Sequence, residues 1–231
     1  MKVLTWNLFH GRSTEARGPL GRELLPEFAD ALRGWDWDVA LLQEVPPWWP
    51  VPLARACGAS ARSALTSRNQ LLPLRRAAAR VLPNLLKSEG GGCNAILVRG
   101  GARIVAHERL EVARRPERRV VHAVRLEDGV WLGNLHASKQ EPRARALADV
   151  AAGAAAVGEW AKEAPFVFGG DLNVRDPQTV LPQLTHLSWN GVDHLFARGL
   201  ERVGRGSVLD HAPLSDHAPV LAELRRVPAA G

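Results

Sequence analysis

Short apolar runs that stop on a polar side chain recur through this sequence, and they restrict what it can fold into. Val3 to Trp6, Val39 to Gln43, Ala95 to Val98, Val120 to Leu126, Val130 to Leu135, Phe166 to Phe168 and Val220 to Leu224 have the length and composition of buried strands. Helical patterns lie between some of them. Arg22 to Arg33 places Leu24, Leu25, Phe28, Ala29 and Leu32 on one stripe and stops at Gly34, with Pro26 able to delay its start; Arg143 to Lys162 reads as a long alanine-rich helix. A third helix is predicted from Pro73 to about Leu86, or only to Pro83, with Gly90-Gly91-Gly92 as its stop. Some strands follow one another directly and others alternate with helices. That mixture predicts an α/β chain of two packed sheets with outer helices rather than a purely parallel sheet.

The chain has 231 residues, 46% hydrophobic and 23% charged, enough to bury a sizeable core. A disulfide-dense miniprotein, a collagen-like chain and a disordered polyelectrolyte are excluded. No repeat or long Pro/Gly/Ser linker divides the sequence, so one domain over residues 1–231 is expected. Cys57 and Cys93 are too few for a disulfide framework and are expected to be free thiols in a reducing compartment. The apolar run at the N-terminus is far shorter than a secretory core, and no uncharged apolar stretch of roughly 18 residues follows. The most apolar segment, Ala146 to Ala161, carries Asp149 and Glu159, as an amphipathic or buried helix would. A cytoplasmic monomer with no membrane and no protein partner is the expectation.

Net charge is +6, and its distribution is uneven. Between Val51 and Arg125, 14 arginines and Lys87 face only Glu89, Glu108, Glu111 and Glu117, a local balance of +11, so the remainder sums to −5. A basic face concentrates phosphate-bearing ligands, and arginine grips a phosphate through two parallel donors. An arginine-rich solvated surface accounts for the same count, so charge alone names no substrate.

The polar stops are the candidates for chemistry. Asn7 closes the first strand, Glu44 follows Leu41-Leu42-Gln43, His136 follows Asn134-Leu135, and Asp171 with Asn173 follows Phe168-Gly169-Gly170; Asp193-His194 and Asp216-His217 complete the set. Taken singly, each has an ordinary explanation as a turn, cap or packed residue. Oxygen donors of this kind suit a hard cation such as Mg²⁺ or Mn²⁺. Zinc fits poorly, since HExxH and CxxC are both missing from the sequence.

Taken together, Thr5-Trp6-Asn7, Leu42-Gln43-Glu44, Asn134-Leu135-His136, Gly170-Asp171-Leu172-Asn173, Val192-Asp193-His194 and Ser215-Asp216-His217-Ala218-Pro219 resemble, in order and over nearly the whole chain, the endonuclease/exonuclease/phosphatase family. The resemblance implies a four-layered α/β/β/α sandwich of two mixed sheets, like that of deoxyribonuclease I, with a divalent-metal phosphoesterase site at one end. It implies Asn7 and Glu44 as ligands of a catalytic Mg²⁺ or Mn²⁺, with Asp171, Asn173 and Asp216 near a second metal position or the attacking water. It further implies His217 as phosphate contact or general base, Asp193 as its orienting carboxylate, and His136 as a second histidine on the acid or phosphate side. Arg119, with Arg118 as the competing choice, and Asn94 fall at positions of substrate contact.

Departures from the family narrow the substrate. The chain has no tyrosine, so the tyrosine that several nuclease branches set against phosphate is missing. Asn134-Leu135-His136 is the histidine version of its strand, which argues against an abasic-site specialist. Only 19 residues separate Asn173 from Asp193, which trims the binding edge there. Trp48 and Trp49, between Pro46 and Pro52, could stack bases, press on lipid or simply pack. A nuclease with DNA or RNA as partner is the favoured expectation. A phosphatase or phosphodiesterase of small or lipid-linked phosphoesters is the alternative, and a non-catalytic binding module the third reading.

Overall fold

Each sheet is built around one parallel strand pair joined by a helix. In the computed structural model, which describes residues 1–15, 21–66, 71–82, 92–139, 142–211 and 213–227, the strands are β1 (Lys2–Asn7), β2 (Val39–Val45), β3 (Ser60–Leu65), β4 (Cys93–Val98), β5 (Ile104–Ala113) and β6 (Arg119–Leu126). They continue as β7 (Trp131–His136), β8 (Phe166–Asp171), β9 (Thr185–Asn190), β10 (Asp193–Arg198), β11 (Leu200–Val208) and β12 (Val220–Arg226). The helices are α1 (Leu25–Gly34), α2 (Pro50–Ala56), α3 (Leu72–Val81) and α4 (Arg143–Ala161). β1 and β2 run parallel with Asn7 opposite Gln43, and β7 and β8 run parallel with His136 opposite Asp171. Every other strand pairing is antiparallel, giving the orders β11-β12-β1-β2-β4-β3 and β5-β6-β7-β8-β10-β9. The two sheets thus repeat one pattern.

Three apolar layers hold the sandwich together. Period-two alternation sends Val3, Val39, Leu41, Ile96, Leu132, Val167 and Leu195 between the sheets. Leu4, Trp6, Ala40 and Leu42 point outward under Phe28 and Leu32 of α1 and Leu53 of α2. Leu135, Phe166 and Phe168 lie under Ala146, Val150, Ala154 and Val157 of α4, whose spacing makes one helical face. Each large side chain so buried contributes about 1.5–3 kcal/mol. The result is the expected α/β/β/α order.

Toward the ends of β1, β2 and β7 the inter-sheet layer becomes polar. Gln43 Nε2 donates to Thr5 Oγ1 at 3.1 Å and to Asn134 Oδ1 at 2.8 Å, while Asn134 Nδ2 donates to the carbonyls of Leu42 and Ala95, each at 2.9 Å. Burial of such groups is tolerated where they pair, as all but Gln43 Oε1 of these do, and here the pairing ties the sheets at a fixed spacing.

All seven expected strands are present, with small shifts of boundary. The unexpected elements are β3, β5, β9, β10, β11 and α2. α1 starts at Leu25 because Pro26 occupies its first turn, and Leu24 precedes it. α3 starts at Leu72; the expected extension to Leu86 and the stop at Gly90-Gly91 fall on residues 83–91, outside the described residues. Trp48 and Trp49 pack: their indole N–H groups both donate to Glu23 Oε1, at 2.7 and 2.6 Å, and Trp49 is 2% exposed. Cys57 and Cys93 are buried free thiols, and burial pushes both thiols up. Among the described residues no helix is long and apolar enough to cross a membrane.

Candidate active site

The site lies where this topology brings strand ends together. The C-terminal ends of β1, β2, β7 and β8 deliver Asn7, Glu44, His136 and Asp171, and the start of antiparallel β10 delivers Asp193, opposite Asp171. Ligands gather at the carboxyl ends of parallel strands because the chain leaves the sheet there and its polar groups become free. A β-bulge between Leu42 and Val45 shifts the register of β2 against β4 where Glu44 stands. Glu44 (φ 51°), Asn173 (φ 53°), Ser215 (φ 65°), Phe9 (φ 48°) and His10 (φ 54°) are left-handed, five of the seven such non-glycine residues described. Each costs roughly 1–3 kcal/mol and persists only where the surroundings enforce it.

Asp171 is the hub. Its Oδ2 accepts from Asn7 Nδ2 at 2.9 Å and lies 3.4 Å from His136 Nε2 and 3.9 Å from His217 Nε2; its Oδ1 accepts from the Asn173 amide at 3.1 Å. Asp193 Oδ2 stands 2.7 Å from His217 Nδ1, leaving Nε2 to face Asp171. The loop carrying His217 is pinned to β1: Ser215 Oγ donates to the Asn7 carbonyl at 2.6 Å, and Trp6 Nε1 donates to the His217 carbonyl at 2.8 Å. Gly170 (φ 136°) has to be glycine, because a Cβ would come within 1.9 Å of the Leu135 carbonyl oxygen.

The electrostatics divide the site into unlike groups. Burial and the neighbouring Asp193 raise the Asp171 carboxyl. Burial alone would lower His217, but the hydrogen bond and charge of Asp193, with Asp171 and Asp216 behind it, raise it to about 9. His136 falls well below its ordinary value through burial and the nearby Arg119, so it is a neutral imidazole. Burial would raise Glu44, yet the His10 imidazole in contact with it, with the cationic His217 farther off, holds it below the usual carboxylate range.

These groups open into a cleft of about 390 Å³ lined by Asn7, Glu44, His136, Asp171, Asn173, Asp216 and His217, together with Arg119. Asp193 lies behind His217. Asp216 is exposed at the rim, and Arg119 is 5% exposed with its Nη2 2.7 Å from Glu117 Oε2. Arg118 instead donates to the carbonyls of Thr66 (2.8 Å) and Leu65 (3.0 Å), so of the two arginines it is Arg119 that faces the cleft. Asn94 is not brought to the cleft wall: it is fully buried, and its Nδ2 donates to the Val120 carbonyl at 3.1 Å, across the two sheets. Some of the basic segment is structural too, since Arg99 donates to the carbonyls of Leu32, Trp35 and Cys57.

Five polar cleft residues, His10, Arg12, Thr66, Glu117 and Lys139, had no sequence signal of their own. His10 and Arg12 arrive through a left-handed turn after β1, with Arg12 3.8 Å over the Phe9 ring, and Lys139 follows β7. Gly11 was the one local hint: its φ of 74° and a Trp49 ring atom 2.3 Å from where a Cβ would sit both require glycine.

Asp171, Asp193 and His217 offer ligand atoms within 4.8 Å of one another, and Glu44, Asn7, Asn173 and Asp216 add oxygen donors around the same cleft. The donor set fits a divalent cation. Two mixed six-stranded sheets, outer helices and an acidic and histidine cleft at the shared strand ends define a phosphoesterase-type sandwich. Residues 4–217 match the Endonuclease/Exonuclease/phosphatase family, and the chain belongs to it. Its members are phosphoester hydrolases that depend on a divalent metal. The fold is similar to that of an endonuclease/exonuclease/phosphatase from Beutenbergia cavernae (TM-score 0.72, 20% identity, 97% of this chain and 71% of that one). It is also similar to a mannosyl-6-phosphatase from Bacteroides thetaiotaomicron (0.69, 19%, 97% and 99%) and to TDP2 from C. elegans (0.66, 18%, 96% and 74%). No curated protein matches the sequence.

Proposed function

We propose that this chain is a nuclease that hydrolyses phosphodiester bonds of DNA or RNA with a divalent metal. Asn7 and Glu44 would hold the ion, with Asp171, Asn173 and Asp216 beside it. The ion supplies positive charge at the phosphoryl oxygens. Asp171, its carboxyl raised by burial, accepts the proton of the attacking water, and the Asn173 side of the cleft positions that water. His217, cationic at neutral pH, stabilises the phosphoryl charge that develops as the ester oxygen leaves. Asp193 fixes its ring and tautomer through the 2.7 Å contact. His136 donates as a neutral imidazole.

The observation that carries the nucleic-acid reading is the spread of cations around the carboxylates. Arg12 comes from the turn after β1, Arg119, paired with Glu117, from β6, and Lys139 from the segment after β7, all on one cleft. One phosphate needs one or two such groups; a chain of phosphates uses all three. A second reading, a phosphatase of small phosphoesters, draws on the cleft volume of about 390 Å³, which would enclose a sugar phosphate whole.

One assay separates the two. The protein is incubated with supercoiled plasmid, linear duplex, single-stranded DNA, RNA and a hexose 6-phosphate, each with Mg²⁺, Mn²⁺ or EDTA. Metal-dependent cleavage of a nucleic acid that disappears in His217→Ala is expected. Intact nucleic acid with release of inorganic phosphate would replace the nuclease reading by the phosphatase one.

A further inference from the structure

The geometry points to His10 as a ligand of the divalent ion held at Glu44, a donor that turns the site toward first-row transition cations over Mg²⁺. This rests on the proposed reading of Glu44 as a metal ligand. His10 Nε2 stands 2.9 Å from Glu44 Oε2, with the two side chains 12% and 20% exposed. The two are in ion-pair contact, yet no acceptor lies in line with the ring nitrogen as a well-aligned hydrogen bond would require. The carboxylate oxygen therefore lies to the side of the ring's N–H axis, where a hydrogen-bonded acceptor would not be.

Two neighbouring ligands of one ion have this relation. With metal–ligand distances of about 2.1 Å in an octahedral shell, adjacent donors sit about 3.0 Å apart, and each lies well off the other's lone-pair axis because the ion occupies it. The contact between His10 and Glu44 has both the spacing and the offset.

The backbone holds His10 there at some cost. Phe9, His10 and Gly11 are left-handed in succession. The turn is anchored by Leu8 N to the Gln43 carbonyl at 2.9 Å, by Phe9 N to Asn7 Oδ1 at 2.9 Å and by Gly11 N to the Leu8 carbonyl at 2.7 Å. The anchors tie the turn to Asn7 and to the residue before Glu44, so His10 is registered against both. Packing of Gly11 on Trp49 prevents the turn from relaxing. Mg²⁺ takes oxygen ligands and gains little from an imidazole, whereas affinity for a nitrogen donor rises from Mn²⁺ through Co²⁺.

The test uses the full chain and reads binding rather than turnover. Dissociation constants for MgCl₂, MnCl₂ and CoCl₂ are measured by calorimetry on the wild type, His10→Gln and Glu44→Gln. Nitrogen coupling to bound Mn²⁺ is measured by pulsed electron paramagnetic resonance on the wild type, His10→Gln and His136→Gln. Expected are an affinity order of Co²⁺ over Mn²⁺ over Mg²⁺, a loss of about tenfold or more for Co²⁺ in His10→Gln against less than about threefold for Mg²⁺, and a nitrogen signal that His10→Gln removes and His136→Gln keeps. A wild-type ion without nitrogen coupling, or equal losses for all three ions in His10→Gln, overturns the role of His10 while leaving Glu44 in place. Unchanged binding of all three ions by Glu44→Gln overturns the metal reading of Glu44, and the inference falls with it. A nitrogen signal that survives in His10→Gln overturns the role of His10 as well, and a wild-type ion without nitrogen coupling does so even where a variant does not fold.

Discussion

Asp171 and Asp193 are two buried carboxylates on adjacent strands, and their surroundings give them different tasks. Asp193 is committed to the His217 ring, and Asp171 keeps one oxygen toward the cleft among Asn7, His136 and His217. The Asp193→Asn variant keeps the shape but loses the charge that makes His217 a cation. On the proposed function its kcat/KM falls by about 10²- to 10⁴-fold, measured by initial rates on the best substrate of the cleavage assay. Asp171→Ala is expected to lose at least as much while retaining its circular dichroism spectrum. Rates within tenfold of wild type for both variants would remove these carboxylates from the chemistry. At this scale the sequence was informative wherever a polar residue ended an apolar run. Asn7, Glu44, His136, Asp171 and His217 all reach the cleft, because the end of a strand is a fixed place in the fold. His10, Arg12 and Lys139 sit on turns after strands, and a turn's direction depends on tertiary contacts such as Gly11 against Trp49, which no pattern in the chain displays.

Among the elements, most of those legible beforehand are buried on both faces, with β10, buried but opening on Asp193-His194 and ending on Arg198, as the exception that was hidden. β1, β4, β7 and β8 read as mainly apolar runs, interrupted by Thr5 and Asn134, because one face meets the other sheet and the other meets helices or inner packing. β3, β9 and β11 lie at sheet edges or next to one, half in solvent, and their Ser, Arg, Gly and Thr content hid them. α2 was hidden by Pro50 and Pro52, which break a helix in its middle but fit its first turn. The central strands also depend on close backbone approach. Gly170→Ala would drive a methyl group to 1.9 Å from the Leu135 carbonyl, so β7 and β8 would have to separate. The expected outcome is loss of more than about 3 kcal/mol or failure to fold, read from urea denaturation or soluble yield. Asn134→Ala removes the donors to the Leu42 and Ala95 carbonyls and the bond that ties Gln43 to the other sheet, at a cost of about 2–4 kcal/mol in the same measurement. A loss under about 0.5 kcal/mol would show that this polar tie does not hold the sheets.

For the molecule as a whole, the site's unusual proton affinities make stability depend on pH in a way that metal conceals. His217 is raised to about 9 in the folded protein, above its unfolded value of about 6.5. Between those values the folded state binds a proton that the unfolded state has lost, so unfolding becomes easier as pH rises. This contribution is fully present below pH 6.5 and gone above pH 9, a change of about 3 kcal/mol at most. The raised Asp171 carboxyl acts with the same sign from the acid side toward neutrality. His122, lowered to about 3, and His194, lowered to about 4, are buried as neutral rings and act with the opposite sign, weakening the fold as pH falls below 6.5. In EDTA the thermal midpoint should therefore decline from pH 6.5 to 9, and His217→Gln should flatten that decline without removing the acid-side loss. Saturating divalent metal should raise the midpoint most at high pH, where the carboxylates are charged and the His217 proton is leaving. A wild-type midpoint that is level from pH 6.5 to 9 in EDTA would mean that the bond between Asp193 and His217 does not hold the proton on which the proposed phosphate contact depends.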